Sequence, residues 1–307
     1  RKEKYHHVRL TLGGAEAVSE KIAAPEEAEA LLEADNGEPP TCAQVNTLKT
    51  TAEALAAALK SQGVEAESPP WLPDCLLLRH TGSLEGLEEF QQGLFYIQDA
   101  AARLAVTAAD PRPGMRVLDA CAAPGGKSFA AAIAMGDRGE VVSCDIHPHK
   151  EKLIQAGAAR LGLTCIRTEV LDGKSCKEEF LDSFDLVIAD VPCSGLGIIR
   201  KKPDIRYKAP KPLENLPKVQ AAILDNVSRY VRPGGVLLYA TCTLLERENE
   251  GVVREFLDRC KDFTPERFQL PGGFEDAETG MVTCWPHRHD TDGFFFAKLR
   301  RTKDGDI

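Results

Sequence analysis

Val117-Leu118-Asp119-Ala120-Cys121-Ala122-Ala123-Pro124-Gly125-Gly126-Lys127-Ser128 is the stretch on which the reading of this chain turns. An apolar run ending in Asp119 gives way to small residues, a proline and two glycines, and an alanine-rich segment from Phe129 to Met135 follows. That order predicts a buried strand, a tight loop and the start of a helix. Gly125 and Gly126 let the backbone turn sharply and let a ligand approach peptide N–H groups at the positive end of the helix. The loop is therefore expected to take a ligand with an anionic or carboxylate end.

Two common ligand classes are excluded by spacing. The ending Gly126-Lys127-Ser128 imitates a phosphate-binding P-loop, but Cys121 stands where that loop needs its first glycine. The dinucleotide pattern G-x-G-x-x-G fails as well, because the two glycines are adjacent. Asp145 ends the next apolar strand, twenty residues after Gly125, where a carboxylate can take a pair of ribose hydroxyls. A nucleoside without a pyrophosphate fits best, and S-adenosylmethionine is the common candidate.

The 307 residues are 43% hydrophobic and 28% charged, enough for two domains. No apolar run reaches membrane-spanning length and no signal peptide opens the sequence. The ten cysteines include no C-x-x-C pair, so neither a disulfide framework nor a zinc knuckle is indicated and reduced thiols in the cytoplasm are expected. A net charge of −9 argues against indiscriminate nucleic-acid binding. A local basic stretch nevertheless runs from Arg200 to Lys218, with Lys201, Lys202, Arg206, Lys208 and Lys211 inside it. On charge alone it reads as a solvated loop.

Residues 1–24 are read as an irregular or incomplete segment, since Arg1 is not an initiator methionine. A helix from Pro25, a strand at Ala43–Asn46, a threonine-capped helix over Thr50–Gln62, a strand at Cys75–His80, a segment at Gly93–Ile97 and a helix over Gln98–Thr107 predict a small α+β domain, residues 25–110. It ends at the Asp110-Pro111-Arg112-Pro113-Gly114 turn. Beyond it, residues 111–302, strands are expected at Arg116–Asp119, Val141–Asp145, Thr164–Thr168, Phe184–Asp190 and Val236–Thr241. Helices are expected at Lys127–Met135, His149–Leu161, Leu213–Val231 and Arg247–Arg259. Residues 303–307 form a tail. Apolar strands alternating with helices predict an α/β, Rossmann-like parallel sheet covered on both faces, closed by an antiparallel strand at Phe294–Leu299. Ligands in such sheets bind at the carboxyl ends of the strands, which gathers Asp119, Asp145, Asp190 and the residues after Tyr239 along one edge.

Two cysteines stand at these strand ends, Cys193 in Asp190-Val191-Pro192-Cys193-Ser194-Gly195 and Cys242 in Ala240-Thr241-Cys242-Thr243. A thiolate there can add to an electron-poor carbon while a neighbouring carboxylate holds the same ring. The other cysteines, Cys42, Cys75, Cys144, Cys165, Cys176, Cys260 and Cys284, are expected to fill space, apart from Cys121 in the glycine loop. His287 and His289 have a metal-like spacing without a third ligand, so a loop role and no metal are expected.

Together CAAPGGKS, DVPCSGLGIIRKKPDIRY and YATCTLLERENE resemble the RNA (cytosine-5)-methyltransferases, most closely the bacterial 16S ribosomal RNA methyltransferase B (RsmB, Sun or Fmu) group. GLFYIQD at residues 93–99 and HDTDGFF at 289–295 are similar to flanking motifs of that family, and the likeness covers about Pro25 to Arg301. The resemblance implies a class I S-adenosylmethionine-dependent methyltransferase fold making 5-methylcytosine in 16S ribosomal RNA or a small-subunit assembly intermediate, in the cytoplasm. The same chemistry on transfer RNA is the rival, and an inactive RNA-binding scaffold a more distant one.

Carbon 5 of cytosine is a poor nucleophile until a thiolate adds to carbon 6. The resemblance makes Cys242 that nucleophile and gives Cys193 a part in release. In DNA cytosine methyltransferases the cysteine after proline attacks, so the residues alone leave the two roles open. Asp190 is expected to hold the cytosine and to lie against the cofactor, and Lys127 to hold the base or stabilise the thiolate. Cys121, Ala122, Ala123, Pro124, Gly125, Gly126 and Lys127 would wrap the methionine end of the cofactor, Asp145 the ribose, and Asp172 would lie near the adenine. Following the cysteine motif directly, Arg200, Lys201, Lys202 and Arg206 become expected RNA contacts. The target base must be single-stranded or flipped out. Two departures stand out. The amino-terminal helical domain resembling the antitermination factor NusB, usual in bacterial members, has no room here, and Gln44 replaces a common arginine.

Overall fold

The computed structural model describes residues 25–207, 213–271, 274 and 277–303. The first 24 residues, Lys208, Lys211 and the last four residues lie outside the described residues.

The first part of the chain builds a four-stranded antiparallel sheet. Helix α1 (Pro25–Ala34) precedes strand β1 (Thr41–Val45), and helix α2 (Ala52–Ser61) follows it. Thr51 caps α2, its Oγ1 accepting from the Ala54 amide at 3.2 Å. Strands β2 (Glu65–Glu67), β3 (Cys75–Arg79) and β4 (Phe95–Ile97) complete the sheet in the order β2-β3-β1-β4. The three residues of β2 are too short to show a period in the sequence. Helix α3 (Ala100–Ala109) begins at Asp99, whose carboxylate accepts from the Ala101 amide at 2.9 Å. Its alanines let it pack closely, and it is buried along nearly its whole length.

The second sheet uses β5 (Arg116–Asp119), β6 (Glu140–Asp145), β7 (Ile166–Val170), β8 (Phe184–Asp190), β9 (Val231–Thr241), β10 (Phe263–Pro265), β11 (Met281–Cys284) and β12 (Phe294–Arg301). Its order is β10-β12-β9-β8-β5-β6-β7, with β11 paired to β12. β5 to β9 run parallel and β12 antiparallel to β9, giving the expected Rossmann-like sheet with its closing antiparallel strand. Helices α4 (Gly126–Ala134), α5 (Pro148–Leu161), α6 (Leu216–Ser228) and α7 (Glu250–Arg259) cover it. The strands alternate between two cores. Leu186, Ile188, Leu238 and Phe296 join α3 and α4, while Val187, Leu237, Tyr239 and Phe295 face α6 and α7.

Three expected boundaries move for visible reasons. β7 starts at Ile166 rather than Thr164 because the Asp137 carboxylate takes the amides of Thr164 and Cys165 at 2.9–3.0 Å, leaving the ladder to begin two residues later. β9 reaches back to Val231 across a bulge, Phe184 pairing with Val231 and Leu186 with Val236. α7 starts at Glu250, since Glu246–Glu248 forms a separate tighter turn. Of the space-filling cysteines, Cys42, Cys75, Cys144 and Cys284 are buried, Cys165 and Cys260 are half-buried, and Cys176 is exposed in the turn after β7.

The small sheet is fastened to the end of α5. Asn46 Nδ2 donates to Gly93 O at 3.0 Å and Leu161 O at 2.9 Å, and Arg160 Nη1 donates to Phe95 O at 2.9 Å. Gln44 is buried, donating to Gln98 O at 2.9 Å.

Candidate active site

The order of the parallel strands reverses between β5 and β8, the place where sheets of this kind form their ligand crevice at the carboxyl ends of the strands. Asp119, Asp145, Asp190 and Thr241 close their strands on this edge. The glycine loop leaves β5 pinned at two points, Ala120 N donating to Ile188 O at 2.9 Å and Ala122 N to Cys144 O at 2.7 Å. Gly125 adopts φ +114°, a conformation closed to residues with a side chain, and a Cβ there would meet the Phe129 ring at 2.7 Å. The amides of the first helical turn, Gly126 to Ser128, have no partners within α4, and that of Ser128 is taken by the Asp119 carboxylate. Beneath them Ser128 Oγ donates to Asp119 Oδ2 at 2.7 Å, and burial pushes the Asp119 carboxyl up to about 7 against that bond. Asp119 Oδ1 is buried without a hydrogen-bond partner.

Lys127 crosses the crevice, its Nζ 2.5 Å from Asp190 Oδ2 and 5.3 Å from the centre of the Phe294 ring. Burial opposes its charge, but Asp190, Asp119 and Cys242 outweigh burial and hold the ammonium above the ordinary lysine range. Cys193 Sγ lies 3.3 Å from Cys242 Sγ. The adjoining sulfur, with burial added, holds the Cys193 thiol well above the usual range. Two loops bring the sulfurs together. Gly197 N donates to Cys242 O at 2.9 Å, and Ser194 Oγ donates to Thr243 Oγ1 at 2.8 Å.

A buried polar layer under these loops was not singled out by the sequence reading. Glu248 Oε1 accepts from Ser194 N at 2.9 Å and from Gln220 Nε2 at 2.8 Å; Asn249 Nδ2 donates to Thr243 O at 2.9 Å. Its signal was present in the ERENE ending of the quoted motif, where Glu248 and Asn249 stand six and seven residues after Cys242.

On the rim, Asp145 Oδ1 accepts from His147 N at 2.9 Å, and Ile146 beside it is 50% exposed. Asp172 is half-buried in the turn after β7, accepting from Lys174 N at 2.9 Å. Cys121 and Ala123 are half-buried, Ala122 is buried and Pro124 exposed. Burial raises the Cys121 thiol.

The expected RNA contacts separate. Arg200 is buried and turned inward to Asp290, Nη1 to Oδ1 at 2.8 Å, with Nε and Nη2 unpartnered. Lys201 Nζ bonds to Asp292 Oδ2 at 2.8 Å and Asp99 Oδ1 at 3.1 Å. Lys202 is exposed, and Arg206 lies on the turn Pro203–Tyr207. His287 faces Glu27 at 3.2 Å and His289 Nδ1 accepts from Trp285 N at 2.9 Å, both on a helical turn rather than a loop. Among the described residues no group of three or more His, Cys, Asp or Glu could hold a metal ion, and no helix is long and apolar enough to cross a membrane.

Known proteins resemble this chain over most of its length. The family profile "16S rRNA methyltransferase RsmB/F" matches residues 106–300, and the ferredoxin-like domain of RsmF/B-like methyltransferases matches residues 21–85. A probable ribosomal RNA small subunit methyltransferase B of Bacillus subtilis is 39% identical over 264 residues, 84% of this chain and 59% of the relative. A ribosomal RNA small subunit methyltransferase F of Shewanella amazonensis is 33% identical over 268 residues, 84% of this chain and 57% of the relative. The crystal structure of PH0851 superposes with a TM-score of 0.86 at 30% identity, covering 93% of this chain and 65% of that one. The chain thus spans about three fifths of the length of the curated relatives it matches.

Proposed function

Since the chain belongs to the RsmB/F family of S-adenosylmethionine-dependent 16S rRNA methyltransferases, we propose that it methylates carbon 5 of a cytosine in 16S ribosomal RNA through a covalent Cys242 adduct. The observation that carries this reading is the pair of sulfurs 3.3 Å apart, beside the Lys127–Asp190 ion pair, at the strand ends that flank the glycine loop.

The residues fit the cofactor. Gly125 lets the loop turn tightly over Phe129 into the helix, the first-turn amides of α4 suit a carboxylate, Asp145 suits ribose hydroxyls, and Ile146 with Asp172 suits a purine. S-adenosylmethionine supplies an electrophilic methyl group there. Asp190, ion-paired with Lys127, accepts from the cytosine amino group and orients the ring. The Cys242 thiolate adds to carbon 6, which makes carbon 5 enamine-like and able to take the methyl group. Loss of the carbon 5 proton to water restores the ring double bond as the bond from carbon 6 to Cys242 breaks, and the Cys193 thiol assists by donating a hydrogen bond to the departing sulfur. The Lys127 ammonium favours the anionic sulfur that begins and ends the cycle. A base enters this crevice only when unpaired or flipped out of a helix. A ribosomal RNA substrate places the work in the cytoplasm.

Methyl transfer from radiolabelled S-adenosylmethionine to naked 16S RNA, small subunits and bulk transfer RNA tests the reading. Label recovered as 5-methylcytosine from 16S RNA, or from small subunits, is the expected result. Label in transfer RNA would keep the chemistry and overturn the substrate. Cys242→Ala should abolish transfer while cofactor binding survives, and Cys193→Ala should leave a protein–RNA adduct that is slow to release.

A further inference from the structure

Cys193 and Cys242 are chemically alike, 3.3 Å apart, and both at strand ends, so something must decide which sulfur is the nucleophile. The charges around them are arranged unequally. Cys242 is among the groups that favour the Lys127 cation. On the other side lies Glu248, fully buried, whose Oε1 is bonded to the amide of the residue following Cys193 at 2.9 Å. Its Oε2 has no hydrogen-bond partner. Tyr239 donates its hydroxyl to the Glu248 carbonyl at 2.5 Å, and Gln220 Nε2 is the second donor to Oε1. The titratable groups acting on the Cys193 sulfur are therefore Cys242 after β9, Glu248 in the turn before α7 and Tyr239 on β9. Gln220, from α6, is neutral.

We infer that Glu248 is a positioning residue that keeps the proton on Cys193, so that Cys193 donates to the Cys242 sulfur and Cys242 alone is left as the thiolate. An anion next to Cys193 disfavours a second negative charge there, while the cation across the crevice favours one on Cys242. The inference deepens the cytosine-adduct reading and rests on it for the roles of the two sulfurs. It also gives a physical reason for a choice that the residues alone leave open.

The test separates charge from shape. Glu248→Gln keeps an oxygen to accept from Ser194 and Gln220 but removes the charge; Glu248→Asp keeps the charge on a shorter arm. The Cys193 titration is read in the full chain carrying Cys242→Ser, as the difference in thiolate ultraviolet absorbance with and without Cys193. Glu248→Gln should move that titration roughly one pH unit lower, whereas Glu248→Asp should leave it near its starting value. Equal movement in both variants, or none in Glu248→Gln, overturns the inference. In the enzyme with both cysteines, RNA carrying 5-fluorocytosine should trap Cys242 alone, and Glu248→Gln should divert part of the adduct to Cys193. Absence of any adduct with the unmodified protein would instead refute the cytosine chemistry, and the absorbance titration would still judge Glu248.

Discussion

The Lys127 ammonium stands 2.5 Å from the Asp190 carboxylate and joins the helix that follows the glycine loop to the end of β8. The Lys127 side chain is largely buried, and the pair bridges the point where the strand order reverses. The first turn of α4 is thereby tied to the end of β8, so the glycine loop and the opposite strand end are held as one unit.

Lys127→Met should retain much of the side-chain packing and leave Asp190 without its partner. Removing one preorganised charge from such a site costs about 100-fold in turnover, and a loss of that size is expected in kcat for methyl transfer. On the proposed reading the loop backbone supplies most of the hold on the cofactor, so its affinity should change less than turnover does. Near-normal turnover would remove Lys127 from the chemistry.

Asp119 ties stability to pH. Burial raises its carboxyl from 3.8 to about 7, so the folded protein holds that proton more tightly than the unfolded chain does. Its contribution to stability is full below 3.8 and disappears as the pH rises through about 7. The difference corresponds to at most about 4 kcal/mol. Asp119→Asn still accepts from Ser128 and carries no charge to bury. Urea unfolding midpoints should therefore fall from pH 4 to pH 8 less steeply in Asp119→Asn than in the parent, with the gap in favour of the variant widest at the alkaline end. Parallel curves would show that Asp119 ionises freely in the fold.

The strand, loop and helix from Val117 to Met135 were legible because each part obeys a local rule: an apolar run, glycines at the turn, alanines behind. Cys193, Cys242 and Asp190 were legible because short motifs carry them to strand ends. The fate of Arg200 and Lys201 was not. Their partners Asp290, Asp99 and Asp292 lie 90, 102 and 91 residues away, and no local pattern announces an ion pair at that separation. The start of β7 was hidden for the same reason, being set by Asp137 from the turn before β6. Strands β10 and β11, three and four residues long, offer too little sequence for a period to show.

Gly157, in the interior of α5, should reverse a familiar rule. Replacing a glycine there by alanine ordinarily gains about 1 kcal/mol of helix stability. A Cβ at this position would meet Phe129 Cε2 at 2.9 Å, and the ring is confined on its other sides by Gly125 and by an edge contact with Tyr96 at 5.8 Å. Overpacking costs about 1–3 kcal/mol, so Gly157→Ala should be destabilised by about 1 kcal/mol net. It should also bind S-adenosylmethionine more weakly, since the displaced ring presses on the glycine loop. A raised unfolding midpoint would show that Phe129 can move aside.

Lys201 and Lys202 are neighbours with opposite expected behaviour. The Lys201 ammonium bridges Asp99 at 3.1 Å and Asp292 at 2.8 Å, and burial with the Asp99 charge already raises the Asp292 carboxyl to about 7. Lys201→Met leaves two buried carboxylates facing each other, and because the Lys201 side chain itself reaches solvent, about 1–2 kcal/mol of stability should be lost. The loss should be larger at pH 8 than at pH 6, because at the lower pH Asp292 can take a proton. Lys202 is exposed, and Lys202→Ala should leave the unfolding midpoint unchanged while weakening RNA binding and reducing the slope of log affinity against log salt by about 1. If Lys201→Met instead kept its stability and lost the same salt slope as Lys202→Ala, Lys201 would be a phosphate contact and the internal bridge would be incidental.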